Sequence, residues 1–264
     1  MRISHLFIYP IKSGPGIAVE VADAQQRGLA HDRRFMVTAP GGKFMSQRSH
    51  PALGRCALRI EGEQLLLEAE GVGSCACPLV PTAGTPVEVS VWSDTVAASR
   101  VSDELDAFFT TLLGEPAQLV HMPEQTRRPV EGFDDLAVSF ADGYPILVAN
   151  TASLVDLNAR IEGSPVPMAA FRPNIVVEPD RAWAEDDWAM LRSGGTALEC
   201  STGCERCSIT TLDPVRPDRP RGDGEPLRTL AKFRRDDSGK VIFGRNAVVR
   251  GAGPLRIGDV LVAE

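Results

Sequence analysis

Residues Ile3–Pro10 read ISHLFIYP, a short apolar run that ends at a proline. Proline has no backbone N–H and cannot continue a central strand, so this run predicts one short β-strand followed by a turn. Most of the chain repeats the pattern, with β-prone runs separated by glycine and proline. Further predicted strands lie at 35–38, 57–60, 64–68, 87–92, 144–149 and 175–177. Many short strands at this spacing favour a mainly antiparallel barrel over a doubly wound sheet.

Helices are few in this pattern. The clearest is predicted at 103–113, with Ser102 as its N-cap and Gly114 just past its end. Its apolar residues recur at helical spacing and predict one buried face formed by Leu105, Phe108, Phe109 and Leu112. Further helices are predicted at 153–161 and from Pro226 onward. The sequence therefore predicts a mainly β, α+β fold with a few flanking helices.

The length of 264 residues fits one large or two ordinary domains. A polar, turn-rich segment at 127–135 predicts a junction just before it, which divides the chain into an N-terminal β-rich domain, 1–120, and a C-terminal barrel domain, 121–264.

Charge, hydropathy and cysteine content exclude several classes of protein. The net charge of −7 argues against general affinity for nucleic acid or anionic membranes. No run of about 18 apolar residues is present, so no membrane span is expected, and the amino end does not read as a signal peptide. Six cysteines are too sparse for a secreted disulfide scaffold. A reduced, cytoplasmic location is the expectation.

The stretch Thr202–Pro214, TGCERCSITTLDP, is where the sequence concentrates reactive groups. Its thiols suit a thiophilic metal, and Arg206 beside them is expected to lower a thiol pKa or hold an anion. Four interpretations compete for Cys200, Cys204 and Cys207. They are a structural zinc ion, an iron–sulfur cluster of the radical S-adenosylmethionine type, a redox dithiol, and one thiolate on a metal whose other ligands come from a cofactor.

The residues argue against the first three of these. Zinc needs four ligands, yet all four histidines lie far upstream and no second cysteine pair is apparent. Radical enzymes carry the cluster motif early in a (β/α) barrel, and here it comes near the end of a β-rich chain. Redox dithiols of the thioredoxin type sit at a strand-to-helix junction, and here a strand is predicted next.

Three upstream segments carry groups that can bind an anion. The turn Ile11–Gly16 has Lys12 and little side-chain bulk, so it fits either a phosphate loop or a plain glycine-rich turn. Asp32-Arg33 fits a surface ion pair or a phosphate clamp. Arg172 ahead of a strand fits an anion ligand or a salt-bridged edge residue.

The acidic segment Trp183–Trp188 fits a solvated turn between packing tryptophans, with a divalent-metal site as the alternative.

Eight stretches, taken together and in order, resemble the MOSC superfamily, close to the mitochondrial amidoxime reducing component and its bacterial relatives. They are IYPIKS (8–13), GLAHDRRF (28–35), NTASLVDLNARI (150–161), FRPNIVV (171–177), CERCSITTLDP (204–214), EPLRTL (225–230), FGRN (243–246) and IGD (257–259). The chain departs from the pattern at Glu205, where relatives more often have serine, and at Arg245, where glutamine is commoner.

The resemblance implies a molybdenum cofactor, in which the dithiolene of a pterin holds molybdenum and a protein cysteine adds a ligand. Cys207 matches the metal-binding, catalytic cysteine, and Asn246 matches a position near the metal. Lys12, Ser13 and Arg33 match the residues that hold the cofactor phosphate. Arg172 and Arg206 match contacts to the pterin.

The implied activity is the two-electron reduction of small N-hydroxylated compounds, such as hydroxylamines, amidoximes and N-hydroxylated bases, to amines. Electrons would come from a separate flavin, haem or iron–sulfur protein. The alternative is a non-catalytic module that carries the cofactor or a cysteine-bound sulfur, since MOSC domains also end cofactor sulfurases and a fold does not settle an activity.

Overall fold

The computed structural model describes residues 1–179, 181–214 and 221–264. In these residues the chain forms three α-helices, α1 (Asp103–Leu113), α2 (Thr151–Arg160) and α3 (Leu227–Leu230). The strands are β1 (Arg2–Ile8), β2 (Ile17–Val19), β3 (Val21–Gln25), β4 (Gly28–Leu29), β5 (Phe35–Thr38), β6 (Ala57–Glu61), β7 (Gln64–Ala69), β8 (Gly73–Pro78), β9 (Thr85–Val91), β10 (Asp94–Arg100), β11 (Gln118–His121), β12 (Pro129–Val130), β13 (Phe133–Ala137), β14 (Ile146–Asn150), β15 (Ile175–Glu178), β16 (Met190–Ser193), β17 (Thr196–Glu205), β18 (Ile242–Gly251), β19 (Gly253–Arg256) and β20 (Val262–Ala263). The expected mainly β, α+β fold is confirmed.

The largest sheet has eight strands in the order β2-β1-β15-β14-β18-β17-β16-β20. Its pairs are antiparallel except for β14 with β15. Because β1 runs antiparallel to β15, with Leu6 opposite Ile175, the end of β1 lies beside the start of β15. This neighbourhood brings the turn that follows β1 close to the turn that precedes β15.

Smaller sheets flank the large one. They have the orders β5-β11-β10-β9, β19-β3-β4, β6-β7-β8 and β12-β13. An isolated bridge between Ile11 and Phe35 ties the turn after β1 to the start of β5. Strands from the first and the last part of the chain thus share sheets, and the division into domains at residue 120 stays a prediction.

Helix α1 forms as the sequence predicts. The Ser102 side chain accepts a hydrogen bond from the backbone N–H of Leu105 at 3.3 Å, and Gly114 adopts φ +74°, the left-handed conformation that commonly ends a helix. The predicted buried face packs into a core with residues of β5, β7 and β11, and comprises Leu105, Phe108, Phe109 and Leu112.

Helix α2 begins two residues earlier than predicted because Asn150 caps it. The Asn150 Oδ1 atom accepts from the backbone N–H groups of Ala152 and Ser153, at 2.8 and 3.2 Å. The Asn150 Nδ2 atom donates to Glu185 Oε2 at 2.7 Å, and the Ser153 hydroxyl donates to the same oxygen at 2.8 Å. Glu185 is fully buried. The expectation of a solvated acidic turn at 183–188 is therefore wrong for Glu185, which ties this turn to the start of α2.

Among the described residues, no helix is long and apolar enough to cross a lipid bilayer.

Candidate functional site

One cavity of about 570 Å³ is lined by every site residue predicted from the sequence, namely Lys12, Ser13, Arg33, Arg172, Arg206, Cys207 and Asn246. These residues lie on the turns after β1, before β5, before β15 and after β17, and on β18. The strand order explains most of this convergence, because β1, β15, β18 and β17 belong to one sheet. The bridge between Ile11 and Phe35 brings the residues before β5 to the same place.

Lys12 is buried in the cavity wall, with its side chain 6% exposed. Its Nζ atom donates to the Phe140 carbonyl at 2.7 Å and to Asp142 Oδ1 at 2.6 Å. Burial lowers the pKa of Lys12, and the Asp142 carboxylate opposes that shift. The charge of Lys12 and hydrogen bonds from Lys12 and Trp92 hold the pKa of the Asp142 carboxyl below its usual range. Asp142 is therefore ionised at neutral pH.

Arg33 is held by acceptors that leave little freedom to its side chain. Its Nη1 atom donates to Asp32 Oδ2 at 2.6 Å and to Asn174 Oδ1 at 2.9 Å, and its Nη2 atom donates to the Arg172 carbonyl at 3.3 Å. Asp32 is buried, and its other oxygen accepts from the backbone N–H of Tyr9 at 2.8 Å. The pair is thus an internal one rather than the surface ion pair of the alternative interpretation.

Tyr9 organises the two arginines of this wall. The Cζ atoms of Arg33 and Arg172 lie 4.3 and 4.4 Å from the centre of its ring, distances at which cation–π attraction is significant. The Tyr9 hydroxyl donates to the Pro173 carbonyl at 3.1 Å. Burial raises the pKa of Tyr9 to about 12, so the ring stays neutral. Burial also lowers the pKa of Arg172 to about 10, which leaves it charged at neutral pH.

Backbone strain is concentrated at the same wall. Ser13, Arg33 and Arg172 have φ values of +60°, +47° and +57°. For residues with a Cβ atom the left-handed region costs about 1–2 kcal/mol each. Such conformations persist where surrounding contacts fix them, and they are typical of binding sites.

In this wall, cationic side chains outnumber the carboxylates that pair with them. Lys12 pairs with Asp142 and Arg33 pairs with Asp32. Within the part of the chain that the structure describes, Arg172 and Arg206 instead contact aromatic rings, and Arg206 Nη2 donates to the Phe171 carbonyl at 2.7 Å. The buried Nε atom of Arg206 has no partner there either. Desolvated cations without a counter-charge are unfavourable, so this wall suits an anionic ligand such as a phosphate.

The three cysteines of the reactive stretch occupy different environments. Cys200 is buried in the main hydrophobic core, and burial raises its pKa to about 11. Cys204 is partly buried, and its sulfur accepts from Arg206 Nη1 at 2.9 Å. Cys207 is exposed. Since Cys200 faces the core while the other two line the cavity, the spacing that resembles an iron–sulfur motif does not bring three thiols to one site.

Asn246 lies on β18 opposite Leu147 of β14, and its Nδ2 atom donates to the Thr202 hydroxyl at 3.3 Å. In the described residues, no three His, Cys, Asp or Glu side chains converge as a metal site. The cavity fits the phosphate-bearing cofactor that the resemblance implies, since it combines cations with an accessible thiol.

Other lining residues were missed by sequence reasoning, among them Asp142, Trp92 and Arg48. Trp92 turns the β9–β10 hairpin with φ +56°, and its Nε1 atom donates to Asp142 Oδ1 at 3.1 Å. The Arg48 guanidinium lies 5.0 Å from the Trp92 ring. No motif marks these positions, because Trp92 and Arg48 come from the N-terminal part of the chain and Asp142 from the segment before β14, and only tertiary packing brings them together. One feature of the sequence could have identified Tyr9 as part of the site, namely its position at the end of the first strand, three residues before Lys12.

The same chain matches two family descriptions: "MOSC N-terminal beta barrel domain" over residues 1–116 and "MOSC domain" over residues 135–262. It is 30% identical over 273 residues to the mitochondrial amidoxime-reducing component 1 of Danio rerio, covering 97% of this chain and 83% of that protein. This chain belongs to the MOSC family.

Further relatives of this MOSC protein carry related names. The mitochondrial amidoxime reducing component 2 of Rattus norvegicus is 32% identical over 278 residues, which cover 97% of this chain and 81% of that protein. A molybdenum cofactor sulfurase of Oryza sativa subsp. japonica is 27% identical over 265 residues, 92% of this chain but 32% of the sulfurase. The two kinds of relative bear the names of different activities, so family membership leaves the reaction to be argued from the cavity.

Proposed function

We propose that this protein is a molybdenum-cofactor-dependent oxidoreductase that reduces N-hydroxylated compounds to amines. The observation that carries the proposal is the combination, in one cavity, of four cationic side chains with the exposed thiol of Cys207. Lys12 and Arg33 have carboxylate partners, whereas Arg172 and Arg206 have none among the described residues. The names of the amidoxime-reducing relatives point to the same chemistry.

Each end of the cavity would hold a different part of the cofactor. Lys12, Ser13 and Arg33 would bind its phosphate, since their charges and the compact turn suit a phosphate group. Arg172 and Arg206 would contact the pterin. At the other end, the Cys207 thiolate would bind molybdenum, and Asn246 would lie near the metal and help to orient substrate. The chemistry that the bound cofactor supplies is two-electron oxygen-atom transfer.

The overall reaction balances as R–NHOH plus two electrons and two protons giving R–NH₂ and water. The electrons would come from a separate flavin, haem or iron–sulfur protein. The part of this chain would be to bind and orient the N–O group beside Cys207 and to keep the cofactor phosphate anchored.

A second candidate is a module that carries the cofactor, or a sulfur on cysteine, without catalysing reduction. It is favoured by the match to the rice cofactor sulfurase. The cations around Lys12 and Arg33 favour holding the cofactor over merely relaying sulfur, because transfer of sulfur by a cysteine alone has no need of a phosphate site; they do not separate a carrier of the cofactor from the oxidoreductase.

The test uses protein produced in a host that makes the cofactor. We expect molybdenum and pterin near one per chain, and reduction of benzamidoxime with an artificial electron donor. Cys207→Ala should abolish turnover, because the metal would lose its protein ligand. Cys204→Ala, the matched control, should retain most of it, since its thiol is occupied by Arg206.

The outcomes separate the candidates. Stoichiometric molybdenum without turnover from any donor would favour the carrier. Equal loss of activity in both cysteine variants would indicate a dithiol or a cluster, and absence of both metal and pterin would refute the cofactor assignment.

A cytoplasmic location remains part of the proposal. Several relatives are named as mitochondrial proteins, so fractionation of the native host cell would decide where this one resides.

A further inference from the structure

The thiol end of the cavity differs in charge from the cationic wall. Three carboxylates of the cavity lining, those of Glu131, Glu205 and Asp236, act on one ammonium group there, that of Lys240. We call this set the carboxylate lip. The proposed cofactor contacts use none of its members.

The backbone places the lip beside the cysteines. Glu205 is paired with Ile242 where β17 meets β18, and the Arg206 N–H donates to the Val241 carbonyl at 2.8 Å. The turn 236–240 is closed by a hydrogen bond from the Asp236 N–H to the Lys240 carbonyl at 2.9 Å. This turn therefore lies against the strand end that leads into Cys207.

Within the lip, Lys240 Nζ lies 3.0 Å from Glu205 Oε2. Both side chains are more than half exposed, at 54% and 56%, and exposed ion pairs of this kind contribute little. The carboxylate of Asp236 accepts from the hydroxyl and the N–H of Ser238 and from the N–H of Lys240. Hydrogen bonds from Ser238 and Lys240 lower its pKa. The lip is thus negative on balance at neutral pH.

We propose that Glu205 selects N-hydroxylated substrates that carry a positive charge, which would replace Lys240 as its counter-ion. The inference rests on the proposed function and adds a substrate class to it. Because the Lys240–Glu205 pair is weak and accessible, a cationic group can displace Lys240 from Glu205 with little loss of interaction energy. A neutral substrate of the same shape gains nothing from the carboxylate.

The kinetic test compares two benzamidoximes of nearly identical shape, with trimethylammonium or tert-butyl at the para position. The measured quantity is the ratio of kcat/KM for the cationic compound to that for the neutral one. Two unit charges about 7 Å apart in water change such a ratio about threefold. We expect Glu205→Gln to lower the ratio by about that factor and Lys240→Gln to raise it. Glu70→Gln should leave the ratio unchanged, because Glu70 is an exposed carboxylate outside the cavity.

A second measurement needs no cofactor and no turnover. Full-length, cofactor-free protein is treated with a trimethylammonium-bearing or a neutral methyl methanethiosulfonate, and the labelling rate of Cys207 is followed by peptide mass spectrometry. The cationic-to-neutral rate ratio should fall in Glu205→Gln, rise in Lys240→Gln and stay constant in Glu70→Gln. These differences should shrink at high ionic strength, where exposed charges are screened.

The two measurements distinguish failure of the proposed function from failure of the proposed role of Glu205. If no substrate is reduced by the wild-type protein, the proposed function fails, while the labelling ratio still reports whether Glu205 selects charge. If wild-type protein turns over both benzamidoximes and neither ratio responds to Glu205→Gln, or Glu70→Gln has the same effect, the role of Glu205 is refuted and the proposed function stands.

Discussion

At the scale of the residue, the conflict between burial and charge is sharpest at Arg172. Its backbone is left-handed, its guanidinium stacks on Tyr9, and its carbonyl accepts from Arg33. Burial lowers its pKa to about 10, because the cavity wall solvates the charge less well than water does. A bound anion would offset this effect, so under the proposed function Arg172 serves ligand binding more than the stability of the fold.

We expect Arg172→Met to separate these two contributions. The free energy of unfolding of the ligand-free protein should change by less than about 1 kcal/mol, because the lost ring contact is offset by removal of a desolvated charge. Affinity for inorganic phosphate should fall about tenfold, because the Arg172 guanidinium lies on the same Tyr9 ring as that of Arg33 and adds its charge to the phosphate site. Urea unfolding and calorimetric titration measure the two quantities.

Arg59→Met provides the control, since Arg59 is exposed and lies outside the cavity. A large loss of stability in Arg172→Met with unchanged phosphate binding would mean that Arg172 is structural.

At the scale of the element, Glu185 joins the turn at 184–187 to helix α2. Its Oε2 atom accepts from Asn150 and Ser153, while its buried Oε1 atom has no partner among the described residues. Burial raises the pKa of this carboxyl, and the hydrogen bonds from Ser153 and Asn150 oppose the rise only in part. The cap of α2 is thus better served by a neutral acid than by a carboxylate.

The raised pKa of Glu185 makes the free energy of unfolding depend on pH, in a direction that can be stated. A group whose pKa is higher in the folded than in the unfolded state contributes stability below its unfolded pKa and loses it as pH rises through the folded pKa. The contribution of Glu185 to the stability of the wild-type protein should therefore fall above about pH 4.5, by up to about 1.4 kcal/mol per pH unit until the folded pKa is reached. Glu185→Gln removes this loss, so its stability relative to wild type should increase from pH 4 to pH 7.

Urea unfolding across that pH range measures the effect, with Glu162→Gln as a surface control. A stability difference between Glu185→Gln and wild type that is flat in pH would contradict the raised pKa.

At the scale of the whole molecule, the first strand belongs to the same sheet as strands from the C-terminal half of the chain. In β1, Ile3, Leu6 and Ile8 are buried in the main core, and β1 pairs with β15 from the second half of the chain. Burial of each such side chain contributes about 1.5–3 kcal/mol. The cavity depends on the same arrangement, because Lys12 follows β1 while Cys207 follows β17.

We expect residues 121–264 expressed alone to lack a cooperative unfolding transition, because removal of β1 leaves the edge of β15 unpaired and takes Ile3, Leu6 and Ile8 out of the main core. Addition of residues 1–120 should restore folding by complementation, as seen by circular dichroism and thermal unfolding. An isolated 121–264 fragment that folds cooperatively would instead support the predicted independent C-terminal domain.

Local chemistry explains which features could be read from the sequence. Helix α1 was predicted with both ends because Ser102 and Gly114 satisfy its terminal groups locally. The start of α2 was misplaced because its cap, Asn150, follows directly from a buried strand and is fixed by Glu185, 35 residues away. The burial of Glu185 could not be foreseen, since an acidic run normally faces solvent and only packing reveals the exception.

By itself, the sequence determined the mainly β class, helix α1 and the family, because turn residues, caps and ordered motifs act over short distances. The tertiary structure alone decided that Cys200 enters the core while Cys207 stays exposed, that Tyr9 holds two arginines, and that three carboxylates meet beside the thiol. These depend on which strands become neighbours. Strand pairing joins residues more than 150 positions apart, and such long-range contacts leave no local pattern in the chain.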